Sequence, residues 1–304
     1  MDIDYKKLFE KDIYGTVLFN EPMKNHITFR IGGPCEVLVE PETEEQILNV
    51  LNLIKENNLR YMVIGNGSNL LVKDIGIKGV VLKILDKFSE IKINGTEIIA
   101  NSGAKLSKIA KIAMENELKG FEFASGIPGS IGGAVTMNAG AYGFEMKDII
   151  KNVRVIEKDL TIREYSNDEM NFRYRKSRVQ DDNLIVLSVT IQLKKGDIKE
   201  ITENYNEYTR LRRMKQPLEY CSAGSTFKRP VGFYAGKLID DSGLRGYRYK
   251  DAQVSEKHCG FIINRGNADF EQVYTLMKTV QDKVYENFNV MLEPEIKIVG
   301  GEDF

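Results

Sequence analysis

The spacing of apolar residues in the first quarter of the chain predicts a strand, a helix and a second strand. Residues 35–40 (CEVLVE) alternate between polar and apolar side chains, as a half-buried strand does. Between residues 47 and 54 the apolar side chains recur at helical spacing, and Thr43 with Gln46 forms a capping-box pattern just before them. Tyr61–Ile64 (YMVI) predicts the next strand, which runs directly into a glycine-rich segment.

The rest of the chain mixes strands and helices without regular alternation, which favours an α+β fold. Asn94-Gly95 between two short apolar runs predicts a hairpin with a type I′ turn. We expect helices over 106–117, 233–240 and 270–284, a helix or connector over 198–215, and strands over 80–84, 91–93, 98–100, 153–156, 162–165, 184–193, 251–255, 261–264 and 295–299.

The order of these elements suggests where the domains divide. At 304 residues the chain is long enough for two or three domains. No repeat or Pro/Ser-rich linker marks a boundary. We therefore divide it by element pattern into two N-terminal lobes, residues 1–84 and 85–198, followed by a smaller C-terminal domain, residues 199–304.

Charge and composition exclude several classes of protein. Lys and Arg number 43 against 44 Asp and Glu, a balance that disfavours nucleic acid or an anionic membrane as the main partner. No apolar run approaches the roughly 18 to 20 residues of a membrane span, and no secretory signal is visible. The three cysteines form no CxxC, which fits a reducing cytoplasm. The two histidines, His26 and His258, are interpreted as packing or hydrogen-bonding residues, and no metal site is expected.

Two glycine-rich loops carry the strongest local chemical signal. The first covers residues 65–71 (GNGSNLL), and the second covers 125–133 (SGIPGSIGG) and continues to 143. Glycine allows positive φ and close approach, and backbone N–H groups can then bind phosphate oxygens. Ordinary turns would explain the first loop equally well, but a second loop this long is usually functional. Because neither GxGxxG nor GxxxxGK[ST] fits, the residues indicate a diphosphate-containing cofactor of unspecified kind.

Three polar segments downstream are ambiguous when each is taken alone. Residues 171–177 (NFRYRKS) are a solvated charged turn or an anion clamp, since a guanidinium matches carboxylate and phosphate. Ser225 follows a glycine and is a turn residue or a proton donor. Glu295 is a charged strand entry or an acid.

Taken together, these segments resemble one family, the UDP-N-acetylenolpyruvoylglucosamine reductases of bacterial peptidoglycan precursor synthesis. The resemblance follows the family's order and is closest to a shorter subclass, which lacks an extra lobe and a substrate-covering tyrosine loop. The matching blocks are residues 25–33 (NHITFRIGG), 64–71 (IGNGSNLL), 126–133 (GIPGSIGG), 137–143 (MNAGAYG), 172–177 (FRYRKS), 223–230 (AGSTFKRP), 252–258 (AQVSEKH) and 292–296 (LEPEI).

The resemblance implies a two-lobed FAD-binding domain of the vanillyl-alcohol-oxidase type, followed by a smaller α+β substrate-binding domain. It also implies non-covalent FAD, NADPH as hydride donor, and reduction of the enolpyruvyl ether of UDP-N-acetylglucosamine to UDP-N-acetylmuramate. Ser225 falls on the family's proton donor, and Arg175 and Glu295 fall on its other two catalytic residues. The residues expected to bind the cofactor are Gly65, Asn66, Gly67, Ser68, Asn69, Leu70, Ile127, Pro128, Gly129, Ser130, Gly132, Gly133, Asn138, Gly140 and Ala141.

For the substrate we expect contacts from Tyr174, Arg213, Lys228 and Gln253. Without a Rossmann domain, NADPH and the UDP-sugar are expected to use one shared pocket in turn. We expect a cytoplasmic enzyme with no obligate protein partner. Two alternatives remain: another flavin oxidoreductase of the same fold, and a catalytically inactive nucleotide-sugar binding protein.

Overall fold

The computed structural model describes residues 3–301, which form two compact units. The larger unit contains the chain up to Leu18, Leu38–Asn66 and Val80–Arg212. The smaller unit contains Phe19–Val37, Gly67–Gly79 and the chain from Arg213 onward. These units are defined by internal contacts, and the division into 1–84, 85–198 and 199–304 stays a prediction.

The described residues combine α-helices and β-strands, as the α+β prediction required. The helices are α1 (Tyr5–Leu8), α2 (Glu44–Glu56), α3 (Leu106–Glu115), α4 (Ile131–Thr136), α5 (Arg178–Asp181), α6 (Ile198–Lys215), α7 (Ala235–Asp241) and α8 (Phe270–Phe288). The strands are β1 (Thr16–Pro22), β2 (Pro34–Glu40), β3 (Tyr61–Ile64), β4 (Leu70–Lys83), β5 (Ile91–Asn94), β6 (Glu97–Asn101), β7 (Leu118–Lys119), β8 (Gly140–Ala141), β9 (Phe144–Glu145), β10 (Ile150–Ile156), β11 (Ile162–Ser166), β12 (Ile185–Gln192), β13 (Lys194–Lys195), β14 (Arg248–Tyr249), β15 (Ala252–Val254), β16 (Ile262–Asn264) and β17 (Lys297–Gly301).

Strand β4 is longer than the sequence predicted. Strands β1, β2, β4 and β17 are hydrogen-bonded in that order, and β3 also pairs with β4. In the larger unit β3 runs parallel to the end of β4, and in the smaller unit β17 runs parallel to its beginning. We predicted only residues 80–84 as a strand, because polar residues and glycines between 73 and 79 interrupt the apolar pattern.

The larger unit contains an antiparallel sheet in the order β11-β10-β12-β6-β5. Helices α3 and α4 contribute buried side chains to the core on this sheet, among them Leu106, Ile109 and Ile131. The predicted hairpin is confirmed between β5 and β6, but the predicted turn type is wrong. Its two central residues are Gly95 and Thr96, and only Gly95 has positive φ (62°), as a type II′ turn requires.

The smaller unit contains a three-stranded antiparallel sheet, β14-β15-β16, against which α8 packs. The apolar face predicted for this helix is confirmed at Val273, Met277, Val280 and Val284, which are buried. The last strand, β17, begins two residues later than predicted. No helix within residues 3–301 combines the length and the apolar character needed to cross a membrane.

Candidate active site

The predicted functional residues are distributed over both compact units. Each group is described within its own unit. The larger unit holds Gly65, Asn66, Ile127, Pro128, Gly129, Ser130, Gly132, Gly133, Asn138, Gly140, Ala141, Tyr174 and Arg175. The smaller unit holds Gly67, Ser68, Asn69, Leu70, Arg213, Ser225, Lys228, Gln253 and Glu295.

In the larger unit the two glycine-rich loops touch each other. The side-chain amide of Asn66 donates to the carbonyl of Pro128 at 2.7 Å. A Cβ atom on Gly65 would lie 2.4 Å from the hydroxyl oxygen of Ser130, so only glycine allows this approach. The loops therefore form one continuous backbone surface, and Gly65 is needed for their packing whatever they bind.

Part of the backbone of the second loop is already engaged within the protein. The N–H groups of Gly129, Ile131 and Gly132 each donate to a backbone carbonyl at 2.9 Å. Gly129 and Gly132 can therefore offer a cofactor close approach, but not these N–H groups. Cofactor contacts along this loop stay a prediction.

The start of the second loop contains two buried polar atoms without partners. The Ser125 hydroxyl and the Nε of Arg212 have no hydrogen-bond partner among the described residues. The side chain of Arg212 crosses the loop at Gly126, where a Cβ would lie 2.9 Å from its Cδ. Two buried hydrogen-bond donors left open beside a glycine loop fit a ligand that carries anionic oxygen, such as FAD.

Asn138 supports the segment that carries Arg175. It is fully buried, and its amide donates to the Glu145 carboxylate (3.0 Å) and the Arg173 carbonyl (3.2 Å). Its carbonyl oxygen accepts from the N–H of Lys147 at 3.0 Å. The side chain of Asn138 holds the turn at Arg173 and its N–H donates to the Val135 carbonyl at 3.2 Å, and its cofactor contact stays a prediction.

Arg175 lies in a tight turn with an unusual backbone conformation. Arg173 and Lys176 exchange N–H to carbonyl hydrogen bonds of 2.8 and 3.1 Å, so Tyr174 and Arg175 form the corner. The φ angle of Arg175 is 57°, in the left-handed region, which costs a non-glycine residue about 1 to 2 kcal/mol. Its guanidinium carbon lies 5.0 Å from the centroid of the half-exposed Tyr174 ring. Tyr174 is exposed and Arg175 is partly exposed, and strain at such a corner is typical of functional sites.

In the smaller unit the structure brings two predicted catalytic residues together. Ser225 pairs with Phe261 in an isolated β-bridge, and the next residue, Thr226, donates its N–H to Gly260 at 2.8 Å. On the other side, the N–H of Glu295 donates to the Thr226 carbonyl at 2.9 Å. The backbone of Ser225–Thr226 is thus held between two chain segments, one of which carries Glu295. Both Ser225 and Glu295 are partly exposed.

The first glycine loop also reaches this place within the smaller unit. The Asn69 amide donates to the Glu295 carbonyl at 3.1 Å, and the N–H of Lys297 donates to the Asn69 carbonyl at 2.9 Å. Asn69 was predicted as a cofactor residue. The structure shows that it also fixes the backbone of Glu295.

Lys228, Gln253 and Arg213, which are expected to contact the substrate, already form hydrogen bonds or ion pairs within the protein. Lys228 forms an ion pair with Glu293, and its N–H donates to the carbonyl of the same residue at 2.8 Å. Gln253 is buried, and its amide donates to the Gly246 carbonyl at 3.0 Å. Arg213 is exposed, and its carbonyl accepts from the Lys257 ammonium at 2.7 Å. Their roles toward the substrate stay predictions.

His258 is a supporting residue that the sequence did not connect with Ser225. Its Nδ1 accepts from the N–H of Gly260 at 3.1 Å, next to the Gly260 carbonyl that binds Thr226. Burial lowers the pKa of the imidazole, and the Arg245 charge lowers it further. The ring is therefore held neutral and fixes the turn against which Ser225 pairs. The expected packing and hydrogen-bonding role of His258 is confirmed.

Comparison with family models gives two matches that together cover most of the chain. Residues 35–166 match the FAD binding domain, and residues 216–299 match the C-terminal domain of UDP-N-acetylenolpyruvoylglucosamine reductase. These matches confirm the expected fold class and the expected flavin cofactor.

Relatives and a solved structure with similar sequences extend over nearly the whole chain. A UDP-N-acetylenolpyruvoylglucosamine reductase of Clostridioides difficile (strain 630) is 53% identical over 281 residues, 92% of each chain. That of Alkaliphilus oremlandii is 49% identical over 298 residues, 98% of each chain. The crystal structure of the reductase from Thermus caldophilus aligns with a TM-score of 0.80 at 35% identity, covering 93% of this chain and 98% of that one.

Proposed function

Because the chain belongs to the UDP-N-acetylenolpyruvoylglucosamine reductase family, we propose that it reduces the enolpyruvyl ether of UDP-N-acetylglucosamine. The product is UDP-N-acetylmuramate, a precursor of peptidoglycan, and NADPH is the reductant. The structural observation that supports this most directly is the hydrogen bond from the Glu295 N–H to the Thr226 carbonyl, because it joins the segment of the proposed proton donor, Ser225, to that of the proposed acid.

FAD is the cofactor, and its binding residues are proposed to be those of the two glycine-rich loops. When bound, FAD would accept a hydride from NADPH and pass it to the methylene carbon of the enolpyruvyl group. The contacts between the two loops, from Asn66 to Pro128 and from Gly65 to Ser130, give this surface a fixed shape before binding. A preformed surface reduces the ordering cost of binding.

Ser225 is proposed to supply the proton that completes the reduction. Hydride addition at the methylene carbon leaves negative charge on the neighbouring carbon and its carboxylate. The Ser225 O–H bond breaks, the proton moves to that carbon, and the oxygen regains a proton from water. A hydroxyl is a weak acid, so positioning decides its efficiency, and such help is worth about 10²- to 10⁴-fold in rate. Backbone pairing of this segment on both sides provides that positioning.

Arg175 and Glu295 are proposed to stabilise the negative charge that develops on the substrate carboxylate. A guanidinium binds a carboxylate through charge-assisted hydrogen bonds, which are about twice as strong as neutral ones. Glu295 can contribute in its protonated form, by donating to the same carboxylate. Because the Arg173–Lys176 turn is closed by its own hydrogen bonds and held by Asn138, Arg175 starts from a fixed backbone.

NADPH and the UDP-sugar are proposed to occupy one pocket in succession, in a cytoplasmic enzyme. Each ligand carries a diphosphate, so exposed cations such as Arg213 and Lys228 could serve both. This predicts ping-pong kinetics with inhibition at high substrate concentration. Intersecting double-reciprocal lines would count against one pocket.

Ser225→Ala tests the proton-donor assignment by separating the two halves of the reaction. We expect flavin reduction by NADPH at nearly the wild-type rate, because no substrate proton is transferred in it. Flavin reoxidation by the enolpyruvyl sugar should slow by about 10²-fold or more. Stopped-flow absorbance measures both steps.

Arg229→Met is the matched control, since it alters an exposed residue of the same segment without removing the hydroxyl. Equal loss in both half-reactions of Ser225→Ala would make Ser225 structural. Absence of any NADPH-dependent bleaching in the wild type would defeat the proposed function itself.

A further inference from the structure

One face of α6 carries a partly buried cation, Arg212, whose Nε atom is buried. Tyr208 and Arg212 lie one helical turn apart on this helix, and the Tyr208 ring stacks on Tyr142 with centroids 4.5 Å apart. The Tyr142 hydroxyl donates to the Tyr208 carbonyl at 3.1 Å. This aromatic pair places Arg212 against the start of the second glycine loop, in contact distance of Gly126.

No acidic group neutralises this cation within the described part of the chain. Among residues 3–301, Arg212 forms no ion pair, and its Nε has no hydrogen-bond partner. Burial lowers the pKa of its guanidinium, and only the Tyr142 phenol counteracts the shift. A partly buried charge without an ion pair is costly, and it is stabilised when an anion binds beside it.

A second hydrogen-bond donor without a partner, the hydroxyl of Ser125, lies at the same end of the loop as Arg212. Ser125 is 8% exposed, and its hydroxyl also lacks a partner. Ser125 immediately precedes Gly126, whose missing side chain leaves room for Arg212; the Nη1 of Arg212 lies 3.7 Å from the position a Cβ would take. A hydroxyl and a guanidinium, both open and both at this end of the loop, form a donor set suited to anionic oxygen.

We propose that Arg212 and Ser125 together bind an anionic group of FAD, which makes both cofactor-binding residues. The inference rests on the proposed function, since that function supplies the cofactor. Two parts of FAD offer the required chemistry. The diphosphate is negative in both oxidation states, whereas the isoalloxazine ring becomes negative only after reduction.

Neighbouring cations on α6 differ from Arg212 in their surroundings. Arg210 is exposed and paired with Glu207 at 2.7 Å, and Arg213 is exposed. Arg210 therefore provides a matched control, a cation on the same helix whose charge is already balanced.

The test measures FAD binding by Arg212→Met, Arg212→Lys, Ser125→Ala and the control Arg210→Met. Arg212→Met keeps a long apolar side chain and removes the charge. We expect it to weaken the binding of oxidised or of reduced FAD, depending on which group is bound, by about 10- to 100-fold. A loss of this size corresponds to one hydrogen bond to a charged group. Arg212→Lys should recover part of this loss, and Arg210→Met should bind as the wild type does.

The oxidation state that is affected distinguishes the two sources of the anion. If the diphosphate is bound, oxidised FAD should dissociate more readily from Arg212→Met, its affinity should depend less on salt, and the midpoint potential should stay unchanged. If the reduced ring is bound, oxidised FAD should bind normally and the midpoint potential should fall by about 30 mV for each tenfold loss of reduced-form affinity.

The free energy of unfolding of the flavin-free protein should not fall in these variants, although their FAD affinity falls. Removing an unpartnered buried donor relieves its desolvation cost, so Arg212→Met and Ser125→Ala should unfold no more easily than the wild type without FAD. With both changes, the loss of FAD affinity should be smaller than the product of the two single losses, because they share one ligand group.

Wild-type FAD affinity and potential in both Arg212→Met and Ser125→Ala would overturn the inference. So would a loss of stability in the flavin-free variants that accounts for the weaker binding. If the wild-type protein bound no FAD, the proposed function would fail instead, which separates the two failures.

Discussion

At the scale of single residues, several side chains bind segments that are distant in sequence, and the residues next to them in the chain do not predict these contacts. Asn138 lies in a glycine-rich segment and looks like a ligand of a cofactor. The structure shows that its amide binds the Arg173 carbonyl, which is 35 residues away in the chain. Sequence resemblance predicts Arg175, Ser225 and Glu295 as catalytic, but it could not show which amides and imidazoles hold the segments that carry them. That information depends on contacts between distant segments.

The left-handed conformation of Arg175 leads to a prediction about stability. Arg175→Gly and Arg175→Ala both remove the guanidinium, so both should lose most turnover. Glycine adopts φ of 57° without steric cost, and alanine does not. We therefore expect Arg175→Gly to be more stable than Arg175→Ala by about 1 kcal/mol, measured by urea denaturation.

Lys176→Ala, in the same turn, serves as the control for loss of a nearby positive charge. An alanine variant as stable as the glycine variant would mean that the turn relaxes and stores no strain at residue 175.

At the scale of elements, propensity and spacing predicted most helices and the antiparallel strands, and they failed where long-range pairing decides. The N-cap of α2 is as expected, since Thr43 accepts from the N–H of Gln46 at 3.1 Å. The Gln46 side chain, however, accepts from Glu42 rather than from Thr43. Strand β4 continues through polar residues because partner strands on either side supply its hydrogen bonds. Pairing of this kind leaves no local signal in the sequence.

The turn around Gly260, which pairs with the segment that carries Ser225, should make the free energy of unfolding depend on pH. Burial holds the pKa of His258 below its ordinary value of 6.5, so the unfolded chain binds more protons than the folded one just below that pH. Stability from this group is complete above pH 6.5 and is lost as the pH falls toward the lower, folded-state pKa. Protonation of Nδ1 also removes the acceptor for the Gly260 N–H.

We therefore expect His258→Gln, which keeps a neutral acceptor, to lose less stability on acidification than the wild type. Denaturant unfolding at several pH values below 7 measures the free energy of unfolding of both proteins. Subtracting one from the other cancels the titration of groups that the two proteins share. Parallel curves for the two proteins would show that His258 is not the responsible group.

At the scale of the whole molecule, the family relationship accounts for the activity and the cofactor, whereas the compact units could not be foreseen. These units are not consecutive segments, since residues 19–37 and 67–79 group with the chain from Arg213 onward. Block 25–33 shows why, because Thr28 donates to the Ser222 carbonyl at 2.7 Å and the Asn264 amide donates to the Phe29 carbonyl at 3.3 Å. Such contacts join segments that lie about 200 residues apart.

Removal of the flavin should affect stability as well as colour. A ligand that binds only the folded state stabilises it by about 2.7 kcal/mol when present at 100 times its dissociation constant. The yellow holoprotein should therefore melt at a higher temperature than its flavin-free form, and added FAD should restore the difference. Differential scanning fluorimetry checks this, and identical melting curves with and without FAD would argue against tight binding to the folded state.

The hydrogen bond from Glu295 to Thr226 also bears on the biosynthesis of the enzyme. Glu295 and strand β17 are translated after all the other segments that surround Ser225, yet they complete the backbone pairing of Thr226, next to that serine, and of the start of β4. A nascent chain still lacking these residues has neither the carboxylate nor the pairing that aligns the hydroxyl. A chain that ends before Glu295 is therefore expected to be inactive even if it binds flavin.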